Sequence, residues 1–209
     1  MKIAIIDYSI GNVQSIFNAL SLYDIEIVIT SDKNTILDSD ALILPGVGAY
    51  KRAMEELKKR DLPNTLSDFI KTGKPVLGIC LGMQLLLETS QEFGASNGLG
   101  LVNGKVVKFS DKIKGKLPHV SWNSLLNASI NWDDGLLDGI SEEDDFYFVH
   151  SFICQPRDSK NILAYSNYGG ENFCAVMQKG NIYGCQFHPE KSSKIGLKVL
   201  NNFIKISSK

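Results

Sequence analysis

Val76-Leu77-Gly78-Ile79-Cys80-Leu81-Gly82-Met83-Gln84-Leu85-Leu86 passes from one backbone period to another without a spacer. Val76 to Ile79 is a short apolar run, preceded by Gly73 and Pro75, and reads as a buried strand, after which Leu81, Leu85 and Leu86 keep the spacing of an apolar helix. The same alternation runs through the residues before it. Lys2 to Ile6 and Ala41 to Leu44 are apolar runs and Ile25 to Ile29 alternates, giving three more strands; Ile10, Val13, Ile16, Phe17 and Leu20, then Ala53, Met54 and Leu57, then Leu66, Phe69 and Ile70 keep helical spacing. Strands separated by helices require right-handed crossovers, so the first eighty residues predict a parallel sheet covered on both faces.

Beyond residue 95 the texture changes. Gly94, Gly98, Gly100 and Gly104 punctuate the chain, and short strand-like runs occur at Val106 to Phe109, Phe146 to Val149, Ile162 to Tyr165 and Ala175 to Gln178. Lys179-Gly180-Asn181 predicts a hairpin turn into the run from Ile182 to His188, and Ile195, Val199, Phe203 and Ile206 mark a closing helix. The expectation is one α/β domain over 1–209, a mostly parallel sheet with an antiparallel elaboration in its second half. Its 209 residues suffice for a proper core. The run Glu142-Glu143-Asp144-Asp145 reads as a solvated loop.

Composition narrows the function. Lys+Arg 22 against Asp+Glu 23 leaves a net charge of −1, which offers no broad basic field for nucleic acid or an anionic membrane. The first residues turn acidic at Asp7, too soon for a signal peptide, and no long apolar stretch occurs, so a soluble cytoplasmic protein is expected. Cys80, Cys154, Cys174 and Cys185 are scattered, with no C-x-x-C and no H-E-x-x-H, so neither a metal site nor a redox pair is expected. No spaced G-x-G-x-x-G and no G-x-x-x-x-G-K-[ST] is present, and no nucleotide cofactor is expected.

In open α/β sheets, ligands bind beyond the carboxyl ends of the strands. Three such segments stand out: Asp7 to Asn12, Pro45-Gly46-Val47-Gly48, and Gly78-Ile79-Cys80-Leu81-Gly82. The last puts a cysteine between strand and helix with glycine two residues away on each side, the layout of a nucleophile elbow. A helix N-terminus favours the reactive thiolate and offers N–H groups to an oxyanion. A tight turn around a small buried residue is the plain alternative. A cysteine nucleophile needs a base. His119 and His150 read as structural hydrogen-bonding residues, whereas His188 opens His188-Pro189-Glu190 at a strand end. Proline favours extended geometry before it, which predicts that Glu190 reaches the imidazole from the same side. A nucleophile, a base and an orienting carboxylate result.

Together, Gly78 to Gln84 and His188-Pro189-Glu190 resemble the class I glutamine amidotransferases, whose flavodoxin-like glutaminase domain works through a Cys-His-Glu triad. With Pro45-Gly46-Val47-Gly48, Pro118-His119-Val120-Ser121-Trp122-Asn123, Tyr147-Phe148-Val149-His150-Ser151 and Gln186 to Ser192, the whole chain resembles the glutaminase subunits of imidazole glycerol phosphate synthases of histidine biosynthesis. Ser121 departs from the pattern, which usually has glycine there.

The resemblance implies Cys80, His188 and Glu190 as the triad. It further implies Leu81, Val47 and Gly46 backbone as the oxyanion hole, and Gln84, Tyr147, Val149, His150 and Ser151 as residues that hold glutamine. Ammonia would pass to a (β/α)₈-barrel cyclase subunit, for which 209 residues leave no room, with Asn12, Trp122 and Lys191 facing that partner. Two alternatives remain at this level: a related glutaminase that feeds an enzyme aminating a bacterial surface sugar, and a catalytically silent scaffold on the same fold. The intact triad argues against the scaffold.

Overall fold

The computed structural model describes residues 1–208. Its first half shows the predicted alternation: β1 (Lys2–Ile6), α1 (Val13–Leu20), β2 (Glu26–Thr30), α2 (Lys33–Asp38), β3 (Ala41–Leu44), α3 (Tyr50–Lys59), α4 (Leu62–Lys71), β4 (Val76–Ile79) and α5 (Leu81–Leu85). The short α2 has one buried residue, Ile36, and so shows little apolar periodicity. Its signal is polar: the Asp32 carboxylate caps it, accepting from the Thr35 N–H at 2.8 Å. Helix α5 is shorter than its leucines suggest, because the chain turns at Leu86 into a strand.

The second half comprises β5 (Leu87–Ser90), β6 (Ser96–Asn97), β7 (Val102–Lys108), β8 (His119–Ser124), β9 (Leu126–Asn127), β10 (Asp145–His150), β11 (Phe152–Pro156), β12 (Ile162–Tyr168), β13 (Glu171–Lys179), β14 (Ile182–Cys185) and α6 (Ser193–Ser207). The main sheet runs β2-β1-β3-β4-β14-β13-β11-β7-β5-β6, with β12 on β13 and β9 on β12. β2, β1, β3, β4 and β14 are mutually parallel neighbours, and β13 enters antiparallel through the turn at Gly180, whose φ is +57°. β8 and β10 form a separate antiparallel pair in which Trp122 opposes Tyr147 and His119 opposes His150.

Alternation along the parallel strands divides the core. Ile3, Ile5, Ile43, Leu77 and Ile79 pack with α1 and α6, whereas Ala4, Ile6, Leu42, Leu44 and Val76 pack with α3 and α4 on the other face. β1, β3, β4 and β14 are therefore buried on both sides, the edge strand β2 is only partly covered, and the carboxyl ends of all five open together at one edge of the molecule.

Candidate active site

β3, β4 and β14 lie side by side and parallel, with Leu44 opposite Gly78 and Ile79 opposite Cys185. The residues just beyond these strands must therefore emerge at one place. Pro45-Gly46-Val47-Gly48 leaves β3 there, Cys80 leaves β4, and Gln186-Phe187-His188 leaves β14. Cys80 and Gln186, 106 residues apart in the chain, are brought together by strand order.

Cys80 occupies the elbow with φ +53° and ψ −111°, a backbone conformation that costs on the order of 1–3 kcal/mol for a residue with a side chain. Its N–H is tied to the Cys185 carbonyl at 2.8 Å, which anchors the turn to β14. The flanking glycines are sterically required. A Cβ on Gly78 would lie 2.8 Å from the Gly82 carbonyl group, and one on Gly82 would lie 1.8 Å from the Leu44 carbonyl oxygen. A Cβ on Gly46 would meet the Gly82 nitrogen at 2.9 Å. The glycines thus let the loop after β3 close against the start of α5, which brings the Gly46-Val47 backbone beside Leu81.

His188 is held on three sides. Its N–H donates to the Tyr147 carbonyl at 3.0 Å, its own carbonyl accepts from the Ser192 hydroxyl at 2.7 Å, and that hydroxyl accepts from the Tyr147 N–H at 3.0 Å. The ring's Nδ1 is 2.8 Å from Glu190 Oε1, with both side chains almost fully buried. The contact forms by a different route from the one proline suggests. His188 itself is extended, with φ −99° and ψ 97°, but Pro189–Lys191 is a turn of 3₁₀ helix, and that turn swings Glu190 back to the imidazole. Among the described residues, His188 Nε2 and Glu190 Oε2 are buried and complete no hydrogen bond. Burial works against the charged ring, but proximity to the Cys80 sulfur and the Glu190 carboxylate outweighs it and pushes His188 up to about 10.

Cys80 and His188 line one pocket of about 340 Å³ with Val47, Leu81, Gln84, Glu92, Val149, His150 and Ser151. The Cys80 sulfur is 3.9 Å from the Val149 carbonyl and 3.7 Å from Gln186 Nε2. The Gln84 amide donates to the Phe152 carbonyl at 3.0 Å and to Gln186 Oε1 at 3.1 Å. Among the described residues, no group of three His, Cys, Asp or Glu side chains is arranged to hold a metal ion.

Residues 4–206 match the family described as glutamine amidotransferase class-I. The chain belongs to the class I glutamine amidotransferases. It is 45% identical over 207 residues to the imidazole glycerol phosphate synthase subunit HisH 1 of Methanococcus maripaludis, covering 98% of this chain and 99% of that one. Its identity to the subunit HisH of Bacillus cereus (strain G9842) is also 45%, covering 96% and 93%. Among solved structures, PurLQS of Thermotoga maritima superposes with a TM-score of 0.74 at 19% identity over 98% of each chain, which shows the fold.

In this amidotransferase the sequence-predicted site residues divide into two groups. Cys80, Leu81, Val47, Gln84, Val149, His150, Ser151 and His188 line the pocket, with Glu190 directly behind His188 and Gly46 beside Leu81. The Tyr147 side chain lies outside it, against Trp122 at 5.9 Å between ring centroids, although its backbone braces His188. Trp122 is 50% exposed, Lys191 is exposed, and half-buried Asn12 begins α1, which packs against the 189–191 turn. Sequence reading did not single out Gln186, which is fully buried against the Cys80 sulfur, or Glu92, which lines the pocket. Gln186 stands inside a quoted motif, and its position two residues before His188 on the same strand extension was the available signal. Glu92 sits in a glycine-rich hairpin with no pattern around it, and only its contact with the Tyr50 N–H reveals its place.

Proposed function

We propose that this amidotransferase is the glutaminase subunit of an imidazole glycerol phosphate synthase, hydrolysing glutamine to glutamate and ammonia. The observation that carries the reaction is the convergence of Cys80 and the His188–Glu190 pair on one pocket from adjacent parallel strands. Cys80 attacks the side-chain amide carbon, and His188, which already holds the proton given up by the thiol, delivers it to the leaving nitrogen. Ammonia leaves and a thioester remains, and water activated by His188 then releases glutamate. The Leu81 and Val47 N–H groups stabilise the oxyanion of both tetrahedral intermediates. Glu190 fixes the imidazole and balances the charge it acquires.

Gln84 and the Val149 to Ser151 strap hold the amino-acid end of the substrate, and Glu92 is the carboxylate in the pocket that matches its α-ammonium group. The released ammonia goes to a cyclase partner of (β/α)₈-barrel form. Asn12, Trp122 and Lys191 face that partner; the exposed Val120 and Trp122 make an apolar strip on β8, on the outward side of the small sheet. The relatives' names favour the synthase of histidine biosynthesis over an enzyme that aminates surface sugars.

The test is glutamate release from glutamine by the chain with its cyclase partner and acceptor. Cys80→Ala should fold normally and release none; turnover at the wild-type rate would refute the mechanism.

A further inference from the structure

Two buried histidines that take no part in the proton transfers above lie end to end between the pocket wall and the outer strand. His150 Nδ1 is 2.9 Å from the Phe152 carbonyl oxygen, and His150 Nε2 is 3.1 Å from His119 Nδ1. His119 Nε2 is 2.8 Å from both the Ser121 hydroxyl and Asn123 Oδ1. Asn123 is oriented by its other amide atom, Nδ2 donating to the Asn167 carbonyl at 2.9 Å, so the atom it turns to His119 is an acceptor.

Counting protons along this chain decides its donor. It has three links, and the Phe152 carbonyl and Asn123 Oδ1 only accept. Two neutral imidazoles bring one proton each, so a chain ending on two carbonyls is one proton short unless a ring is charged. Charge is opposed by the surroundings: His119 is fully buried, stacked on Tyr168 at 4.0 Å between centroids, and burial lowers both histidines, His150 to about 3. The Ser121 hydroxyl lies within hydrogen-bond distance of both His119 Nε2 and Asn123 Oδ1 and supplies the one proton placed between these two acceptors.

We propose that Ser121 is a positioning residue for the glutamine pocket: its hydroxyl donates to His119 Nε2, His119 Nδ1–H donates to His150 Nε2, and His150 Nδ1–H donates to the Phe152 carbonyl. The chain is neutral and one-directional. Its inner end holds the strap that carries the Val149 carbonyl against the Cys80 sulfur and the Phe152 carbonyl against Gln84. Its outer end lies on β8, where Ser121 and Asn123 flank Trp122. The proposal rests on the glutaminase reading only for what the pocket holds. A competing arrangement has Ser121 donating to Asn123 Oδ1, 2.5 Å away, which forces His119 to carry its proton on Nε2.

The full chain has three histidines, so ¹⁵N-histidine labelling resolves each ring. In the wild type both His119 and His150 should appear as neutral Nδ1–H tautomers at neutral pH. An Nε2–H or charged form of either ring would overturn the proposal without any variant being made. Ser121→Ala should shift His119 out of that tautomer and, with the cyclase partner present, raise the KM for glutamine about 5- to 10-fold with kcat within about twofold. Ser121→Thr keeps the hydroxyl and should restore both. Wild-type tautomers and KM in Ser121→Ala would also overturn it. Absence of glutamine turnover in the wild type, with the tautomers as expected, would refute the glutaminase reading and leave the hydrogen-bond chain standing.

Discussion

Gly82 presses its α-carbon against the backbone of Leu44 so closely that a Cβ there would fall 1.8 Å from the Leu44 carbonyl oxygen. This contact between α5 and the end of β3 sets how far the Pro45 to Gly48 loop stands from Cys80. Gly82→Ala must separate backbone from backbone, and overpacking of this kind costs about 3 kcal/mol. For a chain of this size that is a fall in Tm of roughly 6–12 °C, with loss of glutaminase activity in the fraction that remains folded. Thermal unfolding of the two proteins checks it. Gly48→Ala, into open space at φ +84°, should cost only about 1–2 kcal/mol.

Glu190→Gln preserves the shape of the buried pair but removes its charge. The His188 ring loses the counter-charge for the proton it accepts, so kcat should fall by about 10²-fold or more while KM changes little. Steady-state glutamine hydrolysis with the partner present measures both. A loss confined to KM would contradict the orienting role.

His188 makes stability depend on alkaline pH. Its folded value is about 10, above the ordinary 6.5, so the folded state holds a proton that the unfolded state has released between those values. The stabilisation is complete below about pH 6.5 and disappears as pH rises towards 10. Denaturant midpoints between about pH 6 and 10 should fall more steeply for the wild type than for His188→Gln, and Cys80→Ala, lacking the neighbouring sulfur, should flatten the curve as well.

His150 acts in the opposite direction. Burial holds it at about 3, below 6.5, so the unfolded state binds more protons as pH falls, and stability is lost through the acid range beneath about pH 6.5. His150→Gln should be less stable at about pH 7 but lose less between about pH 6.5 and 4. Unfolding midpoints across that interval test the sign.

Trp122 is half-exposed and contacts Tyr147 on the outer sheet. Trp122→Ala should leave Tm within about 2 °C, because little buried area is lost, yet weaken the cyclase partner's binding by about 2 kcal/mol, roughly 30-fold in Kd, as interface tryptophans do. Calorimetric titration of the two subunits supplies the measurement.

Local pattern was enough for the parallel half of the fold and for the elbow. The apolar runs ending at Ile6, Leu44 and Ile79 are each short, unbroken and succeeded by a helix, and Gly-x-Cys-x-Gly marks a turn that only glycines permit. His188 and Glu190 were legible because proline and spacing bind them into one local unit, although the 3₁₀ turn that joins them depends on the Ser192 and Tyr147 hydrogen bonds, which no local pattern encodes. The order of strands was not legible. β14 slots between β4 and β13, and that long-range pairing carries His188 to Cys80, because parallel neighbours end at the same edge. The chain from Ser121 through His119 and His150 to Phe152 likewise exists only once β8 pairs with β10, since hydrogen-bond partners are chosen by proximity in space, and residues 31 apart in sequence become neighbours only through the tertiary fold.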